Sequence, residues 1–274
     1  MLDVLQYEFM RNALLAGLLA SIACGIVGVY VVTKRIVFIS GGIAHAAFGG
    51  VGLGYLTGMS PVLGAMLFTV PAALGIGLVA RRIRLPEDTA IGIWWATGMA
   101  LGITFVGLSP GYAPDLFSYL FGNILTVPTA DLIFMAILDA VIIVVVLLLH
   151  REFTALSFDE EFSQVVGVPV TALYLLLLCL IALTVVILIR VVGIILVIAL
   201  LAIPAALSRQ LTYDMRRMIP LSIGFSIAFS LGGLWLSFAL DLASGATIVL
   251  IGGAVFLIRL GISSFRHRLR ERQA

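Results

Sequence analysis

The stretch TALYLLLLCLIALTVVILIRVVGIILVIALLAIPAAL, residues 171–207, carries a single charge, Arg190, in an otherwise apolar run. One helical crossing of a bilayer takes roughly 17–25 residues, so the run is too long for one span and long enough for two. Read as two spans, 171–189 and 191–207, it makes Arg190 the tip of a tight turn. Read as one, it reverses the direction of every later segment. The choice rests on the nature of the whole chain and on where its charges lie.

Of the 274 residues, 62% are hydrophobic and 11% are charged, whereas an ordinary soluble domain is about 25% charged. Apolar runs of membrane-spanning length recur at 12–32, 36–57, 61–80, 90–108, 131–149, 171–189, 191–207, 219–240 and 245–262. Lipid cannot satisfy an open sheet edge, and the alternation of a transmembrane barrel strand is absent. The expected fold class is an all-α integral membrane protein with about nine transmembrane helices, forming one membrane domain over 1–274. The opening MLDVLQYEFMRN lacks a basic start, so the first span is expected to be kept rather than cleaved. Cys24 and Cys179 fall inside apolar spans without C-x-x-C spacing and read as buried free thiols.

Lys34, Arg35, Arg81, Arg82, Arg84, Arg151, Arg209, Arg216, Arg217 and the tail from Arg259 to Arg272 fall on one set of connections, and only Arg11 and Arg190 on the other. Basic residues near span ends favour the cytoplasm. The N-terminus is therefore expected outside and the C-terminus in the cytoplasm. Nine spans preserve that asymmetry and eight would destroy it. The long external connection, SPGYAPDLFSYLFGNILTVPTA at 109–130, reads as a partly ordered cap at the interface.

The cytoplasmic connection 150–170, HREFTALSFDEEFSQVVGVPV, predicts a short helix from Phe158 to Val166, opened by a Ser157–Glu160 capping box. Asp159, Glu160 and Glu161 suit the positive end of its dipole, and Gly167 with Pro169 stops it. Phe162, Val165 and Val166 make one apolar face. That face either packs against span ends and lipid headgroups or docks a cytoplasmic partner. The sole lysine, Lys34, follows no glycine-rich loop, so the chain has no phosphate-binding loop of its own. Any ATP would have to bind another subunit.

In ISGGIAHAAFGG, residues 39–50, Gly41, His45 and Gly49 share one helix face. Small residues allow close helix approach or leave space beside the imidazole. Ionisable groups within spans are costly and usually face an interior pathway, and histidine is a common ligand for first-row metals. His45 is thus either a packed residue with one hydrogen bond or a metal contact on a path. Asp139, the only carboxylate deep in a span, is open to three readings: second metal ligand, proton-relay group or structural acceptor. There is no nucleophile constellation, which disfavours an intramembrane enzyme, and no aromatic-plus-basic surface suited to nucleic acid.

Three segments then resemble one family. FMRNALLAGLLASIACGIVGVYVVTKRIVFISGGIAHAAFGGVGLGYLTG (9–58), LSFDEEFSQVVGVPV (156–170) and VGIILVIALLAIPAALSRQLT (192–212) are similar to the ABC importer permeases for zinc, manganese and iron. The resemblance covers roughly residues 8–262. It implies a membrane subunit in the cytoplasmic membrane of a prokaryote, paired with a second copy, two ATP-binding-cassette ATPases and an extracytoplasmic metal-binding protein. It implies no intrinsic cofactor, the divalent metal being cargo. By position, His45 is the family's histidine and metal contact. The segment 156–169, with Asp159, Glu160, Glu161, Phe162, Val165 and Gly167, is the ATPase-coupling segment. Many family members have an aspartate four residues before the histidine, where this chain has Gly41. The competing function is a proton-coupled secondary transporter using His45 and Asp139.

Overall fold

A computed structural model describes residues 6–82, 85–110 and 116–271; Arg84 and Arg272, counted above among the cytoplasmic charges, lie outside them. The helices are α1 (Glu8–Lys34), α2 (Val37–Thr57), α3 (Pro61–Arg82), α4 (Glu87–Leu108), α5 (Leu116–Phe121), α6 (Thr129–Leu148), α7 (His150–Phe158), α8 (Glu160–Val165), α9 (Val170–Arg209), α10 (Met215–Leu240) and α11 (Ser244–Glu271). Among the described residues, eight helices are long and apolar enough to cross a membrane.

One of the eight supplies two crossings. If straight, the 40 residues of α9 would extend about 60 Å. Yet both ends lie beside the C-terminus of α1. Arg209 donates from Nη1 to the Val32 carbonyl at 2.9 Å, while the Lys34 ammonium sits 5.8 Å from the ring centre of Tyr174. The chain turns back at Gly193, whose φ of 76° and ψ of 164° fall in a region almost confined to glycine. The two-span reading of 171–207 therefore holds, but the turn is three residues beyond the expected tip. Arg190 lies in the first arm, where its Nε donates to Asp131 Oδ2 at 2.6 Å.

The second arm, 194–209, is only about 24 Å long at 1.5 Å per residue. The external connection compensates for this. The bend at Gly193 lies against the backbone at Gly122, just after α5, and a Cβ at either glycine would strike the other segment. A 3-10 turn at Ile124–Thr126 continues the cap, and the Ile124 amide donates to Ser244 Oγ at the start of α11. Segment 109–130 is thus a cap and not a span, with 111–115 outside the described residues.

The bundle has two sides joined by α9. On one side α1 packs against α6 and α10; on the other, α2 packs against α3 and α4; α9 touches both sets, and α11 leans on α9 and α10. In lipid such contacts depend on close packing more than on a hydrophobic drive. Gly50 and Gly64 bring α2 and α3 so near that a Cβ on either would meet the other's backbone. By contrast α4 and α11 are mostly exposed, with Ile103 62% and Leu250 69% open. They present apolar side chains to whatever surrounds the bundle.

Candidate functional site

The cytoplasmic segment contains more helix than the sequence suggests. α7 occupies 150–158, where a loop was expected, and Ser157 spends its hydroxyl on the Phe153 carbonyl inside it. The cap of the next helix is Asp159, whose Oδ1 accepts from the Phe162 amide at 2.8 Å, so the helix starts at Glu160 and not at Phe158. The correction is physical: Ser157 is already inside a helix and cannot cap one. Gly167, at φ +87°, ends the short helix region as expected. Phe153 is fully buried against Tyr30 of α1, and Tyr30 Oη lies 2.8 Å from His150 Nδ1. Those contacts fasten α7 to the bundle.

α8 has two faces. Phe162 and Val165 point outward, 61% and 85% exposed, with Val166 beside them. Glu161 is also exposed. Glu160 turns the other way, accepting from Lys34 through Oε2 and from Arg81 Nη2 through Oε1. Burial alone would raise its pKa, but the hydrogen bonds and charges of Lys34 and Arg81 outweigh that and hold it below its ordinary value.

In the interior, His45 is buried to 9% exposure. Its imidazole stacks on the indole of Trp95 from α4, with ring centres 3.8 Å apart and planes 10° apart. Its Nδ1 is buried without a hydrogen-bond partner. The glycines one turn either side leave no open space here. The face of Gly41 is filled by Ile198 of the second α9 arm, with Trp95 beyond it, and that of Gly49 by Phe68 of α3 and the Gly98 carbonyl. Small residues in this segment let three helices close around the histidine.

Asp139 is 3% exposed and neither carboxylate oxygen has a partner. Cys24 of α1 is within its electrostatic reach. The two interior groups belong to different sides of the bundle: α6 packs on α1 and α9, whereas α2 packs on α3, α4 and α9. Among the described residues no three His, Cys, Asp or Glu side chains form a metal-holding group. Sequence reasoning missed Trp95, Phe68 and the cations that hold Glu160. The single lysine was visible, but its pairing across the fold carried no local signal.

Residues 6–263 match the model of the ABC 3 transport family. A membrane protein of Synechocystis sp. is 49% identical over 95% of this chain and 92% of its own length. The manganese transport system membrane protein MntC of Listeria monocytogenes is 36% identical, over 93% of this chain and 91% of its own. Among solved structures, PsaBC from Streptococcus pneumoniae in complex with Fab superposes with a TM-score of 0.85 at 33% identity, covering 94% and 93% of the two chains.

Proposed function

The chain belongs to the ABC 3 transport family, and on that premise we propose that it passes a divalent transition metal inward past His45, driven by ATP bound to a separate subunit seated on α8. It is a multi-pass permease of an ABC importer in the bacterial cytoplasmic membrane, a transporter and not an enzyme. The observation that carries the proposal is the outward face of α8. Phe162 and Val165 are exposed on a helix fixed to the bundle, on the side to which charge assigns the cytoplasm, in a chain without a phosphate-binding loop.

Manganese is the first metal to test, because the Listeria relative is named for it; zinc and iron follow. A neutral imidazole gives a borderline divalent ion one nitrogen donor, and one donor suits a site that must also release. Gly41 and Gly49 flank that donor, and their neighbours Ile198, Phe68 and Trp95 close the path in this conformation. The other proposed partners are an extracytoplasmic metal-binding protein and a second copy of this chain. The proton-coupled alternative gains no support: Asp139 and His45 sit on opposite sides of the bundle, α6 against α1 and α2 against α3 and α4, with α9 between them.

Purification of the permease with its candidate ATPase, followed by reconstitution into vesicles, tests the assignment. ATP-dependent uptake of manganese, compared with zinc and iron(II), is the expected result. Uptake that needs no ATPase and follows a proton gradient would overturn it.

A further inference from the structure

We infer, on the premise that α8 docks the ATPase, that Glu160 is not part of the docking surface but the positioning residue that transmits movement of α8 to the helices enclosing His45. The acidic run divides its work. Asp159 is used as the helix cap, Glu161 is free on the surface, and Glu160 faces the bundle. Both of its oxygens are taken by cations of this chain. To contact a partner it would have to give up two charge-assisted hydrogen bonds, the stronger kind.

The backbone packing of α8 is chiefly with its neighbours α7 and α9. Glu160 extends its reach to α1 through Lys34 and to α3 through Arg81. The links continue from there. Lys34 also donates to the Leu156 carbonyl of α7 at 3.2 Å. The Arg81 guanidinium lies 4.1 Å from the centre of the Tyr174 ring on α9, and Tyr174 Oη donates to Glu87 Oε1, at the start of α4, at 3.2 Å. A half-open pocket of about 310 Å³ is lined by Lys34, Arg81, Glu87, Glu160 and Tyr174 together with Arg35 and Ile36, which leaves space beside the cluster.

Two of the helices held here wall the histidine. α3 carries Phe68 and α4 carries Trp95, the latter about 12 Å along the helix axis from Glu87 at 1.5 Å per residue. A displacement of α8 that pulls Glu160 therefore acts on the cytoplasmic ends of the rods that close around His45.

The test is the number of metal ions imported per ATP hydrolysed, measured with radiolabelled manganese in vesicles holding the assembled complex. Once unassembled ATPase has been removed, this ratio does not depend on how much complex the vesicles hold. Glu160→Gln keeps the side chain's shape and removes its charge. It should retain the ATPase at wild-type stoichiometry while the ratio falls about tenfold, within the ordinary range of coupling free energies. Lys34→Gln should shift the ratio the same way. Asp88→Asn, which removes an exposed carboxylate beside Glu87 but outside the cluster and outside α8, should leave it unaltered.

A wild-type ratio in Glu160→Gln would overturn the inference, as would release of the ATPase, which would make Glu160 a docking contact. Loss of the folded permease in both Glu160→Gln and Lys34→Gln would make the cluster a folding clamp and equally reject transmission. Failure of the wild-type permease to hold any ATPase would instead remove the premise about α8.

Discussion

Glu160 at the cytoplasmic end and the two ionisable groups of the interior, His45 and Asp139, are treated in opposite ways. At the cytoplasmic end Glu160 has a cation on each oxygen, and Lys34, Arg81, Tyr174 and Glu87 extend the network across the helix ends. In the interior, His45 has an unpartnered Nδ1 and Asp139 two unpartnered oxygens. Paired charges fix geometry, although Arg81 Nε and Glu152 Oε2 at the same end are also buried without a partner, and each such group costs free energy that a packed apolar residue would avoid. The oxygens of Glu160 are therefore taken by cations of this chain, whereas the interior histidine still has a nitrogen to offer. On the proposed function, the contrast separates the part that would hold the motor from the part that would meet the cargo.

The largest expected effect is at the outward face of α8. Phe162→Asp places a charge in an apolar contact and should weaken ATPase binding by 2 kcal/mol or more, about 30-fold, as loss of an interface anchor does. The permease itself should stay folded, because Phe162 is 61% exposed. Copurification with the ATPase and the melting of the permease alone check the two halves. A complex that survives intact would move the docking surface elsewhere and break the contrast at its cytoplasmic end.

Asp139 sharpens the contrast from the other side. A carboxylate at the centre of a span costs about 2.5–3.5 kcal/mol on insertion scales, and α6 packs chiefly on α1 and α9, whereas Phe68 and Trp95 come from α3 and α4. Asp139→Asn should leave manganese uptake within about twofold of wild type, a change of under 0.5 kcal/mol. A hundredfold loss would make Asp139 part of the transport chemistry and would end the separation of the two interior groups.

The smallest expected effect is that of pH on the cytoplasmic cluster. Glu160 is held below its ordinary value, so its pairs stabilise the folded state above the unfolded carboxylate value, near 4.3, and are lost only as pH falls through the folded value. Metal imported per ATP should accordingly be flat between about pH 6 and 8, a window in which Glu160 stays charged on the ordinary carboxylate scale. A decline in that window following a single titration, and abolished by Glu160→Gln, would show that the pairs with Lys34 and Arg81 do not hold the carboxylate ionised.

Direction and span number were legible because charge and length are one-dimensional properties. The basic residues oriented the chain, and the length of 171–207 required two crossings. The turn itself was misplaced, since Arg190 looks like a tip. In three dimensions it is tied to Asp131, while Gly193 supplies the backbone angle that only glycine adopts easily. The cap was misread for a related reason: Ser157 and Asp159 are both competent caps in sequence, and the unforeseen helix α7 removes the serine. Trp95 was invisible because its stacking on His45 joins α4 to α2. At Gly41 and Gly49 the sequence left close helix approach and space beside the imidazole both open, and Ile198 and Phe68 decide for close approach here.

The central claim is that cargo passes His45 in a permease powered from α8. It is tested most directly by radiolabelled manganese uptake into vesicles holding the assembled His45→Ala complex, with ATPase retention measured on the same preparation. The alanine variant should keep the ATPase at wild-type stoichiometry, since His45 lies in the interior and Phe162 and Val165 lie on the exposed cytoplasmic helix. Its uptake should fall to the level seen without ATP. Uptake at the wild-type rate would reduce His45 to a packing partner of Trp95 and contradict the claim.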